Sequence, residues 1–191
     1  MTTGSSVTDQ RSRIVDHALG LMSERGAAGT SMRRLANSCG LNVATIYHYF
    51  PSKDDLLRAV IEERRYGDRL TDEEPLFDTS LPARDRLEAL LELVWSSTEP
   101  ELPVLRLLLG EGVRGHPTAR EAISELISLL DDGLGAWMAR GFPELANRQV
   151  SPEVAGRLLR RHLLALVAEQ LATGSVDGRR STADLADVLF G

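Results

Sequence analysis

The stretch GTSMRRLANSCGLNVATIYHYFPSKDDLL, residues 29–57, holds two short helical patterns joined by a tight turn. Thr30 and Ser31 can each cap a first helix over SMRRLANSC. Gly40 is a suitable end for that helix, and Asn42 is a good N-cap for the second helix, VATIYHYF. A short helix, a glycine-containing turn and another helix have the proportions of a helix-turn-helix unit.

Helical patterns also flank this stretch on both sides. Upstream, RSRIVDHALGLMSERG over residues 11–26 carries the apolar stripe of an amphipathic helix, and Gly26 supplies a stop. Downstream, Pro51 ends the preceding helix, and Ser52 begins a Ser-x-x-Asp capping pattern with Asp55. The sequence therefore predicts a further helix over KDDLLRAVIEERRYGDRL, residues 53–70.

The remainder of the chain has helical periodicity as well. The acidic, turn-rich segment TDEEPLFDTSLP, residues 71–82, has no period and marks the best domain boundary. No run alternates with a period of two, so the fold class that we predict is all-α. The helices predicted after the boundary cover residues 82–100, 102–115, 118–140, 153–173 and 181–190.

The charge of the chain is uneven. A net charge of −6 argues against indiscriminate binding to nucleic acid, yet residues 25–53 contain four basic residues and no acidic one. Such a window is either a local binding surface or an ordinary solvated patch. No stretch approaches the ~20 apolar residues of a membrane helix, and the first ten residues lack the apolar run of a signal peptide. We therefore expect no membrane association.

The sequence shows no metal site and no catalytic arrangement. A single cysteine, Cys39, excludes an internal disulfide and suits a reducing compartment, and we interpret it as a small buried apolar residue. No Ser/His/Asp or Cys/His arrangement and no glycine-rich phosphate loop is present. We expect a cytoplasmic protein without metal, cofactor or catalytic residues. The histidines, which have no metal-ligand spacing, are His17, His48, His116 and His162.

The helical period divides the second helix of the motif into two faces. Ile46, Tyr49 and Phe50 share one side, which we expect to be buried against leucines of the neighbouring helices. The opposite side, which we expect to face outward, consists of Val43, Ala44, Tyr47 and His48.

An outward face of small and hydrogen-bonding side chains suits DNA. Small residues let a helix enter the major groove and touch thymine methyl groups, and Tyr47 and His48 have the length to reach phosphate oxygens. Arg33 and Lys53, near the starts of the two flanking helices, would lie on either side of the groove. The residues that we expect to contact DNA are Ser31, Met32, Arg33, Asn42, Val43, Ala44, Thr45, Tyr47, His48 and Lys53.

The run from Gly29 to Leu57 resembles the DNA-binding domain of the TetR family of bacterial transcriptional regulators. Cys39 stands where a small residue such as alanine is usual, and Asn42 where serine is the commoner cap. The resemblance covers roughly residues 11–60, and its motifs are Thr30 to Arg33, Leu35-Ala36, Gly40, Thr45 to Tyr47, Tyr49-Phe50 and Ser52 to Leu57.

The resemblance implies a homodimer whose C-terminal domain binds a small molecule that releases the repressor from its operator. We expect a disordered tail over residues 1–10, a helix-turn-helix DNA-binding domain over 11–57 and a ligand-binding and dimerisation domain over 58–191. Gly110, Gly112 and Gly115 suggest a hinge or broken helix near the pocket. The candidate effector contacts, a set equally typical of helix packing, are Trp95, Leu102, Leu105, Leu109, His116 and Trp137.

Two long helical patterns, over residues 118–140 and 153–173, carry wide apolar stripes beside small residues. Such helices can build a two-fold, four-helix interface. The alternative is that Gly133 and Gly135 of the first pattern mark a helix break around residues 131–133.

The function that we predict is a ligand-responsive repressor that binds a palindromic operator on double-stranded DNA as a homodimer. One alternative is an architectural or co-regulatory DNA-binding dimer without a small-molecule ligand. An all-helical enzyme that contains a helix-turn-helix is disfavoured by the missing catalytic arrangements.

Overall fold

A computed structural model describes residues 4–63, 77–147 and 150–190, and all the regular secondary structure in these ranges is helical, as predicted. The end of the predicted helix, residues 64–70, and the first half of the predicted boundary segment, residues 71–76, lie outside the described residues. None of the helices described is long and apolar enough to cross a membrane. The helices are α1 (Gly4–Gly29), α2 (Met32–Cys39), α3 (Val43–Tyr49), α4 (Lys53–Glu63), α5 (Ala83–Thr98), α6 (Leu102–Val113), α7 (Pro117–Gly141), α8 (Pro152–Thr173) and α9 (Gly178–Phe190).

The chain divides into two compact units that are not continuous in sequence. The first unit contains residues 1–65 and 103–124, and the second contains residues 66–102 and 125–191. This grouping differs from the division predicted at residues 57 and 58, because α6 and the first turns of α7 supply core residues to the first unit. Those core residues are Val104, Leu107, Leu108 and Ala119, which lie in one buried cluster with residues of α1 to α4.

The first helix begins earlier than predicted. Its backbone is helical from Gly4, whereas we expected a disordered tail over residues 1–10. Gln10 is half-buried, and its Oε1 accepts a hydrogen bond of 3.0 Å from the Tyr49 hydroxyl at the end of α3. This contact with a distant helix could not be read from the polar composition of the segment.

Gly26 interrupts α1, as the sequence indicated, although helical hydrogen bonding resumes for one more turn. The residue has φ 72° and ψ 163°, a conformation that only glycine adopts without strain. The Thr30 hydroxyl donates to the Gly26 carbonyl at 3.1 Å, so Thr30 does not cap the next helix. The break therefore directs the chain into a short turn, residues 26–30, before α2.

The caps of α2, α3 and α4 are those predicted from local sequence. Ser31 Oγ accepts from the Arg34 N–H at 3.2 Å, and Asn42 Oδ1 accepts from the Ala44 N–H at 2.9 Å. Gly40 has φ 66° and ends α2. At the start of α4, the Ser52 hydroxyl accepts from the Asp55 N–H and donates to the Asp55 carboxylate. Each cap satisfies a backbone group that the helix leaves without a partner.

The second unit has its own core, formed by α5, α8, α9 and the C-terminal part of α7. Arg86 of α5 is a buried cation in this unit. Its guanidinium donates hydrogen bonds to the carbonyls of Thr79 and Leu81 and to the Glu144 carboxylate. The Phe142 ring lies under its guanidinium, 5.4 Å away. The buried core residues are Leu87, Leu90, Leu91, Val94, Leu134, Met138, Phe142, Leu145, Ala155, Leu159, Leu163, Leu185, Ala186 and Leu189.

The helices α7 and α8 cross at a pair of glycines. A Cβ on Gly156 would lie 2.6 Å from the Gly135 backbone nitrogen, so the two backbones are in direct contact. The helix α7 runs without interruption through residues 131–133, and the alternative of a break there is wrong. Gly110 and Gly112 lie inside the continuous helix α6, whereas Gly115, with φ 90°, lies in the predicted break, between α6 and α7. Gly112 instead permits close packing, because a Cβ there would be 2.5 Å from Ile123 Cδ1.

We expect Gly156→Ala to destabilise the protein by about 1–3 kcal/mol, since the added methyl group would meet backbone atoms that cannot move aside. The matched control is Gly133→Ala, because nothing lies within 4 Å of a Cβ at that position of α7. This control should stabilise the protein by about 0.5–1 kcal/mol through helix propensity. Urea unfolding monitored by circular dichroism measures both, and equal effects would contradict the glycine crossing.

Candidate nucleic-acid interface

The two faces of α3 are those that the helical period predicted. Ile46 and Phe50 are buried in the core of the first unit. On the other side, Ala44 and His48 are exposed, and Tyr47 is 49% exposed although it is a large aromatic residue. An exposed tyrosine beside a histidine and a small residue forms a surface that can donate hydrogen bonds and approach a partner closely.

Two residues that we expected to contact DNA from this helix, Val43 and Thr45, are less exposed than the sequence suggested. Val43 is half-buried and packs against the core cluster, so the prediction that it faces outward is wrong in part. Thr45 is half-buried as well. Tyr49 packs against the same cluster, as expected of an inward residue, but its hydroxyl reaches Gln10. The exposed part of the face therefore consists of Ala44, Tyr47 and His48.

The start of α2 presents polar side chains next to α3. Ser31 and Arg33 are exposed, whereas Met32 is only 7% exposed and belongs to the core cluster. The prediction that Met32 contacts DNA is therefore corrected for its side chain. A helical pattern identifies residues 31–33 as the first turn, but the packing against α1 and α4 decides which of them turns inward.

Two cations lie at the carboxyl end of α1. The Lys53 Nζ donates to the Ala28 carbonyl at 3.4 Å, and the Arg34 Nη1 donates to the Gly29 carbonyl at 3.3 Å. Carbonyls at a helix end carry partial negative charge, which cations stabilise. Lys53 is half-buried, and its side chain lies along the end of α1.

A buried carboxylate holds the other end of the turn at residues 26–30. Glu111 of α6 has a side chain that is 7% exposed. Its Oε1 accepts from the Ala27 N–H at 2.9 Å and from Arg114 Nη1 at 3.1 Å. Glu111 lies outside the helix-turn-helix pattern, so its role was not predicted. One signal in the sequence marks it, because it is the only acidic residue in the apolar run of α6.

We expect Glu111→Leu to lower the free energy of unfolding by about 1–3 kcal/mol, because it leaves the buried Ala27 N–H without an acceptor. Glu111→Gln keeps a carbonyl oxygen for that N–H and should cost less. Arg114→Ala removes the exposed partner of Glu111 and serves as a control for the ion pair. Chemical denaturation compares the three, and a Glu111→Gln loss equal to that of Glu111→Leu would show that the charge, not the acceptor, matters.

The six residues predicted to contact an effector fall into both units. Leu105, Leu109 and His116 belong to the first, and Trp95, Leu102 and Trp137 belong to the second. In the first unit, His116 Nε2 lies 3.9 Å from the Asp54 carboxylate of α4. Its Nδ1 is buried and has no hydrogen-bond partner among the described residues. His116 therefore lies against the N-terminal helices, and its role as an effector contact stays a prediction.

Cys39 lies at the end of α2 and is half-buried. Burial raises the pKa of its thiol above the usual value, so the thiol is mainly protonated at neutral pH. A protonated thiol is a weak nucleophile. This environment favours the interpretation of Cys39 as a packing residue.

The described residues thus bring together the chemistry that DNA recognition needs. Hydroxyl, imidazole and ammonium groups that can bind phosphate lie around a small residue, Ala44, at the start of a helix. The sequence from Arg25 to Lys53 contributes no carboxylate to this region. The surface is therefore basic within an acidic chain.

Comparison with known proteins identifies the same region. Residues 14–60 match the model of the family described as bacterial regulatory proteins, tetR family. Over 51 residues the chain is 39% identical to the HTH-type transcriptional regulator UidR of Escherichia coli K12, a match that covers 27% of this chain and 26% of UidR. The chain thus spans about a quarter of the length of the first relatives that it matches.

Other similarities extend over the whole chain. The HTH-type transcriptional repressor AcnR of Corynebacterium efficiens is 25% identical over 190 residues, which cover 98% of this chain and 95% of AcnR. The crystal structure of Escherichia coli NemR in its reduced form has a TM-score of 0.69 at 18% identity and covers 95% of this chain and 98% of that one. A similarity at this identity shows the fold alone.

The family match agrees with the helix-turn-helix unit and its caps. Residues 14–60 are a DNA-binding domain of the type found in the TetR family of bacterial transcriptional regulators. The fold of the chain is an N-terminal helix-turn-helix domain with a helical C-terminal domain.

Proposed function

We propose that this protein is a transcriptional repressor that binds a palindromic operator as a homodimer and is released by a small molecule. The observation that carries the DNA-binding part is the exposed face of α3. Its aromatic residue Tyr47 lies outward while Ile46 and Phe50 anchor the helix in the core. The exposed Tyr47 hydroxyl and the exposed His48 imidazole beside it are groups that can donate hydrogen bonds to phosphate oxygens.

The proposed roles follow from exposure and chemistry. Tyr47, His48, Lys53 and Arg33 would contact phosphate oxygens and so fix the position of α3 on the duplex. Ala44 would lie against base edges, with Thr45 beside it. Ser31 and Asn42, which cap α2 and α3, would direct the first turns of both helices toward the DNA backbone.

A homodimer is proposed because one such helix reads only a few base pairs. Two copies on a two-fold axis would read half-sites about 34–36 Å apart or a multiple of that distance. AcnR, which matches nearly the full length of this chain, is named as a repressor. This similarity supports repression rather than activation.

Release by an effector is proposed for the C-terminal helices. The half-buried Trp95 and Trp137 of the second unit, together with Leu102, supply apolar surface for a small molecule. A repressor of this kind would act in the cytoplasm, where its operator is.

Removal of a phosphate contact should weaken binding to every DNA sequence alike. We expect Tyr47→Phe and Lys53→Ala each to lower affinity, and Lys53→Ala to reduce the slope of log affinity against log salt by about 0.9. Ala44→Gln should instead change which operator is preferred. Fluorescence anisotropy with an operator and a scrambled duplex, over a range of salt concentrations, measures these effects.

The control for lost charge is Arg58→Ala, an exposed cation of α4 that lies about 140° around the helix from Lys53. It should leave the salt slope unchanged. Normal binding by Tyr47→Phe and Lys53→Ala at every salt concentration would contradict the proposed placement of α3.

Effector binding separates a repressor from an architectural DNA-binding dimer. We expect a compound from a panel of lipophilic metabolites to raise the melting temperature of the protein and to abolish its binding to the operator. Trp95→Ala should reduce both responses without loss of DNA affinity in the absence of the compound. Stabilisation without any loss of DNA binding would argue against release by that compound.

A further inference from the structure

The helices α7 and α8 of the second unit share one outer face. Their seam is marked by the Gly135–Gly156 contact and by an ion pair in which Arg160 Nε lies 2.6 Å from the Asp131 carboxylate. The next residue on each helix, Asp132 and Arg161, is turned by about 100° from the seam. Both are exposed. They therefore point away from the core on the same side of the helix pair.

This outer face has acidic charge on α7 and basic charge on α8. Asp132 has no basic residue within one turn on its own helix, and Arg161 has no acidic one. Among the described residues, no hydrogen bond or ion pair joins either side chain to another group of the chain. Arg157, one turn before Arg161, extends the basic side of the face.

Apolar and small residues surround these charges. Val154 and Leu164 of α8 are 37% and 44% exposed. The exposed alanines of the same face are Ala136 and Ala139 of α7 and Ala165 and Ala168 of α8. Alanines permit close approach of another helix, and exposed Val and Leu supply apolar area, so the face suits a helical partner.

A two-fold axis through this face brings together either two copies of the same helix or α7 of one copy and α8 of the other. If the two α8 helices cross each other, Arg157 and Arg161 of both copies come together, which is repulsive. If α7 of each copy lies on α8 of the other, acidic residues meet basic ones twice. The uneven charge of the face thus fits a second copy of this chain in the second arrangement only.

We propose that Asp132 of each subunit pairs with Arg161 of the partner subunit, and that this pair selects the homodimer and its helix arrangement. The inference rests on the homodimer of the proposed function. An exposed ion pair contributes little to the folding stability of an isolated subunit. Like charges that meet within an interface, however, strongly disfavour association.

The test exchanges the two charges. Asp132→Arg and Arg161→Asp, each alone, should raise the dimer dissociation constant at least ~10-fold, because like charges then meet twice. A mixture of the two variants should form a heterodimer with affinity near that of the original homodimer. The double variant, with both substitutions in one chain, should form homodimers but not mix with the unaltered protein. Sedimentation velocity measures the affinities, and native mass spectrometry of differently tagged chains measures the mixing.

The matched control is Glu88→Arg, which makes the same change of charge at an exposed position of α5 and should leave association unchanged. Circular dichroism confirms that each variant is folded. Single variants that dimerise as tightly as the unaltered chain, or a double variant that mixes freely with it, would contradict the Asp132–Arg161 pair. The proposed homodimer would not be affected by that result. An unaltered protein that is monomeric at all concentrations overturns both.

Discussion

The hydrogen bond between the Ala27 N–H and the Glu111 carboxylate joins two segments that lie 84 residues apart in the chain. It is required because α1 is interrupted at Gly26, which leaves the first N–H of the following turn buried and without an intrahelical acceptor. On the opposite side of the turn, Lys53 and Arg34 bind the carbonyls. Contacts from three helices thus fix the turn, and the turn fixes where α2 begins.

The position of this turn determines the position of the proposed DNA-binding face, because only α2 and one short turn lie between them in the chain. Ser31 follows the turn directly and caps α2, and Gly40 and Asn42 then set the angle between α2 and α3. Lys53 is held by Ala28 rather than free in solvent. A surface whose residues are held in place before binding loses less conformational entropy when it meets DNA. The hydrogen bonds that order the turn therefore favour the proposed recognition.

Local sequence predicted the features whose causes are local. Caps at Ser31, Asn42 and Ser52 involve residues two or three positions apart, so the pattern contains both partners. The buried side of α3 also follows from helical period alone. Val43 was assigned to DNA because helical period places it on the outward side of α3, and Met32 because it lies in the first turn of α2, but neighbouring helices half-bury the first and bury the second. Which edge of a helix is buried depends on the neighbouring helices, and the sequence pattern of one helix does not specify them.

The sequence by itself determined the helical class, the helix-turn-helix, its caps and the resemblance of residues 14–60 to the TetR family, because these depend on periodicity and on contacts within a few residues. Only the tertiary structure decided that α6 packs with the N-terminal helices, that Glu111 satisfies the break in α1, and that Gly135 and Gly156 bring two helices into backbone contact. Each of these is a contact between residues distant in sequence. Burial and close packing bring such residues together, and no local pattern specifies which partner is chosen.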